Sequence, residues 1–448
     1  MVAGMAMGPE RSGVEAQQLQ MVCLDDLVAA DDKYRGIERV VSWRAVRSSA
    51  APFYAPDGRY SICPAVLLKL FLVAAVEGLG SMRETLRVAE RDVAIRRFLG
   101  YGLTERLPSH ATVSYAQCVR FARSSIFEQL FTQVLGQCRE AGLLDGTRLV
   151  VDATHVEANA ALASLRAELS VVEGSAPSDP HEGDPPPPNA GGERPRLVLA
   201  EPRSGPTPRR VSSNATSHSL SDPDAKLRHK PGQRPHLVHR AQVAVDPKRR
   251  VIVAVGVERA TGSEATALAG LVRRARFAGH RVDELGADKG YASAETYQTL
   301  DGLRVVAYIP PQRRMAGVEA LATRARTRTP RGVAVKIDRM THAEGAIGEL
   351  KNQHALGRIR SRGTPKAQIQ LLMAATAINL KRLARYAPAH TASASGDPRA
   401  ATRLAATADN PLTHADPRRL APRPDPRRHL AAILRRCRPT RLSAASAL

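Results

Sequence analysis

Three carboxylates in the chain have the type and placement of metal ligands. Asp152 follows the apolar run at residues 149–151. Asp288 follows the predicted strand at residues 282–287, and Glu344 lies in a later predicted helix. A valine-rich strand is usually buried on both faces, so a charge at its end is costly unless it is paired. We therefore predict that Asp152 is the first ligand of a catalytic metal site.

Magnesium suits such a set, because Mg²⁺ is a hard ion that takes oxygen ligands and keeps several waters. Two such ions about 4 Å apart can activate a water or a 3′-hydroxyl and stabilise the leaving oxygen of a phosphodiester. Clustered carboxylates repel one another without metal, so we expect raised pKa values in the metal-free site. His155, His342 and His354 lie on separate elements without paired spacing, and we do not expect them to bind a metal.

The elements that carry these acids follow one another in an informative order. Residues 149–356 predict a strand, a long insertion, a hairpin at 239–257, a helix, a strand, a short helix, a strand and a final helix. Three strands in a meander followed by βα units is the order of an RNase H-like fold of the mixed α/β class. In that arrangement neighbouring strand ends bring two aspartates together, and a packed helix supplies the third acid.

Residues 61–145 predict a helical domain ahead of this core. One of its helices begins with a capping-box pattern, Ser81 and Glu84, and carries Arg83 and Arg87. Short helices, glycine turns and arginine-bearing faces favour a compact DNA-binding domain. An ordinary helical bundle with solvated arginines has the same spacing, so the pattern alone leaves both interpretations open.

The remaining segments lack a sustained apolar period. Residues 1–60 predict an irregular arm. The catalytic domain is predicted at 146–387, interrupted at 170–222 by an insertion rich in proline, serine and glycine that we expect to be disordered. Residues 388–448 consist mainly of alanine, arginine, proline and serine and predict a basic, disordered tail.

The chain carries a large excess of positive charge, with 66 lysines and arginines against 43 acidic residues and a formal net charge of +23. Such an excess attracts polyanions, because each neutralised phosphate releases counterions. The segment 312–339 is notably basic and begins with Arg313 and Arg314, which we predict to bind DNA.

The compartment is predicted from what the sequence lacks. No apolar run reaches membrane-spanning length, and the N-terminus has no signal-peptide pattern. The five cysteines are scattered without a CxxC pair, which argues against a zinc site or a disulfide framework. These features favour a soluble, intracellular protein.

Several blocks of the sequence resemble bacterial insertion-sequence transposases of the DDE type. The resemblance covers roughly residues 60–387, and the N-terminal part of it (64–87 with 107–114) is similar to the helical N-terminal domain of those proteins. Each block alone is weak, whereas the set in one order is specific. The catalytic blocks are VVDATHVEANA (151–161), QVAVDPKRRVIVAV (242–255), GADKGYASAET (286–296), AEGAIGELKNQHALGRIRSRG (343–363) and IQLLMAATAINLKRL (369–383).

The resemblance implies roles for individual residues. Asp152, Asp288 and Glu344 correspond to the catalytic acids that hold Mg²⁺ or Mn²⁺, with two ions expected. Lys351 follows Glu344 by seven residues, two helical turns, and is implied to contact DNA phosphate. Related proteins often carry an arginine three or four residues before the glutamate. Here Arg339 precedes it by five, so either Arg339 does the same work from the helix start or that function is lost.

Two other glutamates compete for the role of third acid. Glu349 lies five residues after Glu344 and faces another side of the helix, and Glu264 is a more remote rival. Asp246 is predicted to serve the hairpin turn rather than the site.

The resemblance implies cleavage of transposon ends and their joining to target DNA in cut-and-paste transposition. The expected partners are double-stranded terminal inverted repeats, target DNA and at least one more copy of the chain, in the bacterial cytoplasm at the nucleoid. Two alternatives remain open at this stage. One is an RNase H-like nuclease without strand transfer, and the other is a decayed transposase that only binds DNA.

Overall fold

The structure is a computed structural model that describes residues 21–167 (except 56, 58, 59 and 123), 214, 217–229, 232, 234–258 and 264–386. The predicted tail at 388–448, the first part of the predicted arm and most of the predicted insertion at 170–222 lie outside these residues. None of the described helices is long and apolar enough to cross a membrane.

A mixed sheet forms the centre of the catalytic half. The strand order along this sheet is β4, β5, β1, β7, β8. Strand β6 also pairs with β5, along the edge opposite β1. A second, two-stranded sheet joins β2 and β3. The strands are β1 (Arg148–Glu157), β2 (Leu165–Ala167), β3 (Ser217–Ser219), β4 (Lys226–Arg228), β5 (His236–Asp246), β6 (Val251–Glu258), β7 (Glu284–Gly286) and β8 (Val306–Tyr308).

The pairing directions confirm the predicted RNase H-like core. Strands β1, β5 and β6 are antiparallel neighbours, whereas β7 and β8 run parallel to β1. The connections from β6 to β7 and from β7 to β8 each pass through a helix. The parallel neighbours β7 and β8 require such a crossover. The hairpin turn between β5 and β6 is held by Asp246, whose Oδ1 accepts the N–H of Lys248.

Strand β1 is longer than the apolar run that predicted it. Asp152 was expected at the strand end, but the strand continues five residues beyond it to Glu157. The reason is the ladder to β5, which pairs Asp152 with Val243 and extends to Glu157 opposite Val238. The long partner strand β5 keeps residues 152–157 extended, although several of them are polar and have a low strand propensity.

Seven α-helices precede the sheet in the described residues. They are α1 (Lys33–Val40), α2 (Trp43–Ala50), α3 (Pro64–Val76), α4 (Met82–Arg91), α5 (Val93–Leu99), α6 (His110–Tyr115) and α7 (Ile126–Glu140). The first two correct the prediction of an irregular arm at residues 1–60. Their short stripes pack into the helical core, where the rings of Tyr34 and Trp43 contact Phe98. Stripes of two buried residues in eight-residue helices are too short to stand out in the sequence.

In the described part of the chain, six α-helices follow β6. They are α8 (Glu264–Phe277), α9 (Ala294–Gly302), α10 (Val318–Arg328), α11 (Pro330–Asp338), α12 (Glu344–Gln353) and α13 (Thr364–Tyr386). Helix α13 is buried along most of its length and packs against α3, α7 and β6. The side chain of Asn379 on α13 pairs with both backbone groups of Ile252 on β6, so this helix joins the helical half to the sheet.

The end of the predicted insertion is ordered, which corrects the expectation of disorder up to residue 222. Ser217–Ser219 forms β3 and pairs with β2. Asp222 is fully buried, and its Oδ2 lies 3.0 Å from Nε2 of His239. The polar composition concealed this segment, because its order depends on partners far away in the chain.

The helical half meets the catalytic half at Gly78. This glycine has φ +62°, and a Cβ atom there would lie 2.5 Å from the carbonyl oxygen of Gln353 at the end of α12. The ring Nδ1 of His354 donates a hydrogen bond to the carbonyl oxygen of Ala75, at 2.7 Å. The end of α3 therefore packs closely against the end of α12, through the backbone at Gly78 and the hydrogen bond from His354.

Gly78→Ala is expected to lower the free energy of unfolding by more than about 1 kcal/mol, because alanine adds a left-handed strain and a backbone clash. Gly136→Ala is the matched control. Gly136 lies inside α7 with nothing near its missing Cβ, so alanine there should stabilise by about 0.5–1 kcal/mol. Denaturant unfolding of both variants measures the difference, and equal effects would contradict this account of the junction.

Candidate active site

The two aspartates come together through the register of the parallel pair β1 and β7. Val150 pairs with Gly286, so two residues further along each strand bring Asp152 level with Asp288. Neighbouring strands lie about 4.8 Å apart, which sets the spacing of their backbones. The charge of Asp288 acts on the pKa of Asp152, as this proximity requires.

Glu344 reaches the same place from the first turn of α12, through Arg339. The Nη1 atom of Arg339 lies 3.5 Å from Oδ2 of Asp152, and its Nη2 lies 3.1 Å from Oε1 of Glu344. One guanidinium thus bridges two of the three predicted acids. Arg339 itself is well buried, with 15% of its side chain exposed, whereas Glu344 is 51% exposed.

A wide helical turn makes this bridge possible. Residues 339–343 form a π turn, and the N–H of Glu344 donates to the carbonyl oxygen of Arg339 five residues earlier. A π turn takes one residue more than an α turn, so Arg339 faces Glu344 as a residue four positions earlier would in an α-helix. The wide turn thus compensates for the five-residue spacing between Arg339 and Glu344, where related proteins often have three or four residues.

The raised pKa expected in the metal-free site is present at Asp152. Burial raises the pKa of its carboxyl above the ordinary value of 3.8, and the charges of Glu344 and Asp288 add to the rise. A hydrogen bond from the N–H of Ala153, at 2.8 Å, and the charge of Arg339 act in the opposite direction. Bringing a cation to this carboxylate is therefore favourable.

Ion pairs near the beginning of β1 fix the start of the π turn. Arg148 at the beginning of β1 pairs with Glu284 on β7 and with Asp338 at the end of α11. Glu284 also accepts two hydrogen bonds from Arg331 on α11. These contacts hold α11 against the sheet, so the residue after Asp338, which is Arg339, is directed at Asp152.

The donor set fits a hard divalent cation, because the three acids offer only oxygen atoms. A positively charged group, the guanidinium of Arg339, already lies between Asp152 and Glu344. Among the described residues, no three His, Cys, Asp or Glu side chains are close enough to hold an ion as they stand. Glu344 and Asp288 are both exposed, so their side chains have room to draw inward.

Family profiles match most of the described chain. The profile described as "Transposase DDE domain" matches residues 143–380, more than half of the sequence, and "Transposase domain (DUF772)" matches residues 22–117. The chain belongs to the DDE transposase family. No curated protein sequence matches it.

Two solved transposase structures are similar to the chain. One is the cryo-EM structure of a piggyBac transposase synaptic complex with hairpin DNA, at 10% identity and a TM-score of 0.34, covering 92% of this chain and 84% of that one. The other is the Mos1 transposase paired-end complex with left transposon end, at 9% identity and a TM-score of 0.17, covering 75% and 82%. The family assignment rests on the profiles, since both TM-scores are low.

DDE transposases generally use divalent metal ions, and here the guanidinium of Arg339 lies between Asp152 and Glu344, two of the three acids predicted to bind such an ion. Arg339→Gln is expected to lower the thermal midpoint without metal, because the acids then repel one another with no cation between them. It should enlarge the stabilisation given by Mg²⁺ or Mn²⁺, since the ion no longer displaces a guanidinium. Thermal unfolding with and without metal measures this.

The exposed Lys336 on α11 provides the control for that variant, because Lys336→Gln removes the same charge away from the acids. Its response to metal should equal that of the wild type. A metal-dependent shift of Arg339→Gln no larger than the wild-type shift would contradict the competition.

The structure places Glu349 in a different environment from Glu344. Its carboxylate accepts a hydrogen bond from Arg382 and lies 3.5 Å from Nζ of Lys381 and 3.9 Å from Nε2 of His354. Burial alone would raise the pKa of Glu349, but the neighbouring His354, the charge and hydrogen bond of Arg382 and the charge of Lys381 outweigh it and hold the pKa at about 2. The other rival, Glu264, pairs with Arg240 at 2.8 Å.

Sequence reasoning missed Arg240, which contacts Tyr291 near Asp152. Tyr291, three residues after Asp288, is almost completely buried, and the guanidinium of Arg240 lies 5.3 Å from its ring centre. Burial raises the pKa of Tyr291, and the charge of Asp152 adds to that rise. The GADKGY block contained Tyr291, but its contact with β5 had no signal in the sequence.

The predicted DNA-binding arginines are on the surface. Arg83 and Arg87 are exposed one turn apart on α4, and Arg313 and Arg314 are exposed in the loop after β8. No described contact joins these four arginines to the acids. Lys351 lines a cavity between α12 and the helical half.

Two neighbouring arginines do not continue this basic surface. Arg96 is buried and donates to the carbonyl oxygens of Gly102, Glu90 and Glu105. Arg97 pairs with Asp25 and Glu38. Both arginines stabilise the helical half instead of extending the exposed face formed by Arg83 and Arg87.

Proposed function

We propose that this transposase cuts DNA strands at the ends of its element and joins them to target DNA. We further propose that Asp152, Asp288 and Glu344 are its catalytic acids. The observation that carries the proposal is the convergence of Asp152 and Glu344 on one guanidinium, with Asp288 level with Asp152 in the sheet.

The three acids would hold Mg²⁺ or Mn²⁺, as two ions, at the edge formed by β1, β7 and α12. When bound, such ions supply an activated hydroxyl nucleophile and stabilise the leaving oxygen. Asp152 supplies a carboxylate fixed by the N–H of Ala153 within a rigid strand. Arg339 orients Asp152 and Glu344 and keeps their negative charges from separating the elements that carry them.

The proposed substrate is double-stranded DNA, comprising terminal inverted repeats and target. The formal net charge of +23 supports this substrate, and so do the exposed arginines Arg83, Arg87, Arg313 and Arg314. Lys351, two turns along α12 from Glu344, is proposed to contact a phosphate near the scissile bond. Two ends must meet in one reaction, so we propose at least a dimer on DNA, at the bacterial nucleoid.

The test uses the DNA that flanks the gene, searched for inverted repeats just outside the reading frame. The purified chain, a labelled duplex carrying such an end and a target plasmid are incubated with Mg²⁺ or Mn²⁺. Cleavage and strand-transfer products are expected. Cleavage without any joined product would instead favour a nuclease on the same fold. End binding without cleavage in either metal would favour a decayed transposase.

A further inference from the structure

A cavity of about 800 Å³ lies where the helical half meets the end of α12. Helices α3, α4 and α6 form one side of it, and the loop from α12 to α13 forms the other. Phe71 and Met373 give it an apolar floor, while Ser114 and Gln117 line it with polar groups. Its volume falls within the range of sites that bind small molecules or parts of larger ligands.

The cavity wall contains a partly buried cation, Arg360, two of whose donor atoms have no partner. Nε and Nη2 of Arg360 are inaccessible to solvent and have no hydrogen-bond partner among the described residues. The backbone around this side chain is fixed, because the N–H of Arg360 donates to Oε1 of Gln370 at 2.9 Å and its carbonyl oxygen accepts from Nδ2 of Asn159 at 2.8 Å. These contacts fix the backbone of Arg360 and do not use its side-chain donors.

An unpaired buried charge is costly, and proteins usually pair it. Burial lowers the pKa of Arg360, and the charge of Glu84 only partly offsets this effect. The Oε2 atom of Glu84 accepts the N–H of Gly80 at 3.1 Å, so that carboxylate is engaged in capping α4. An anion that enters the cavity and draws the guanidinium of Arg360 toward it would satisfy these donors.

We propose that this cavity binds a phosphate group of the DNA backbone through Arg360, as a second anchoring point apart from the catalytic acids. The proposal rests on the proposed DNA substrate. Lys351 and Arg358 line the same cavity and add positive charge. Lys351 lies about 10 Å along α12 from Glu344, so one strand can reach both the acids and the cavity. Arg360 contacts no acid of the catalytic set and is a positioning residue for the strand.

The first test measures thermal unfolding at equal ionic strength with chloride or with millimolar inorganic phosphate. Phosphate should raise the midpoint of the wild type but not of Arg360→Gln. In chloride, Arg360→Gln should be at least as stable as the wild type, because it removes an unpaired buried charge. A purely structural arginine would give the opposite sign. Arg362→Gln is the matched control, since Arg362 is exposed two residues on and outside the cavity lining.

The second test distinguishes DNA from free phosphate as the ligand. The affinity for a short duplex is measured by fluorescence anisotropy over a range of salt concentrations. Arg360→Gln should reduce the slope of log affinity against log salt by about one, the effect of losing one phosphate contact. Gln117→Glu, which puts a carboxylate into the cavity without removing Arg360, should weaken DNA binding and abolish the phosphate response. It also carries the test if Arg360→Gln fails to fold.

The proposal is supported if Arg360→Gln and Gln117→Glu both lose the thermal shift with phosphate and both show the expected change in DNA binding. Arg362→Gln should keep the thermal shift with phosphate. A lost phosphate response with unchanged DNA affinity and slope would identify a free-anion site and overturn it. A wild type whose midpoint ignores phosphate, together with an unchanged slope in Arg360→Gln, would also overturn it. Failure of the wild type to bind any duplex would instead contradict the proposed function. The thermal measurement with phosphate does not use DNA, so it tests the cavity separately from the proposed function.

Discussion

Asp152→Asn is expected to reduce metal-dependent cleavage of a transposon end by more than about 100-fold. Loss of a residue that only hydrogen-bonds to a metal ligand costs up to about 100-fold in metal affinity or activity, and loss of a direct ligand should cost more. The asparagine keeps the shape of the side chain and its place opposite Val243, so the fold should persist. DNA affinity should not fall, because the substitution removes a negative charge from the surface that DNA approaches. Labelled-end cleavage and anisotropy measure the two quantities.

Asp145→Asn is the matched control for this variant. Asp145 is exposed just before β1, at the opposite end of that strand from the acids, and the substitution changes the charge by the same amount. Its cleavage rate should equal that of the wild type. Metal-dependent cutting that survives in Asp152→Asn would rule out Asp152 as a ligand and with it the proposed set of acids.

The sequence predicted the fold class and the positions of the candidate acids for a physical reason. Asp152 and Asp288 each come directly after a buried apolar run. When two such runs are neighbouring parallel strands, the residues that follow them lie side by side. Glu344 had weaker support, because its place depended on a helix whose packing the sequence does not specify. The order of the elements was enough to predict the sheet, since βα units constrain connections strongly.

The details of the site depended on contacts between distant parts of the chain. The π turn at 339–343 gives no local signal, yet it decides that Arg339 meets Glu344. The unpaired guanidinium of Arg360 emerges only when the α12–α13 loop packs against the helical half. Periodicity reports which face of an element is buried. It does not report which partner covers that face, and both features depend on the partner.

The choice between Glu344 and Glu349 as third acid leads to a paired prediction on one helix. Glu344→Gln should abolish cleavage and leave the free energy of unfolding nearly unchanged. Glu344 is half exposed, and Arg339 keeps its contact with Asp152 when Glu344 is replaced. Glu349→Gln should do the reverse, because it leaves Arg382 and Lys381 without their carboxylate. End cleavage and urea unfolding of both variants separate the roles.

The size and pH dependence of the Glu349 effect follow from its pKa. That pKa falls from 4.5 to about 2 on folding, which corresponds to about 3 kcal/mol of stability at neutral pH. A carboxyl with a lowered folded-state pKa contributes this stability fully above pH 4.5 and loses it as the pH falls toward 2. The stability gap between wild type and Glu349→Gln should therefore narrow through that window. A gap independent of pH, or a loss of cleavage in Glu349→Gln at full stability, would transfer the catalytic role from Glu344 to Glu349.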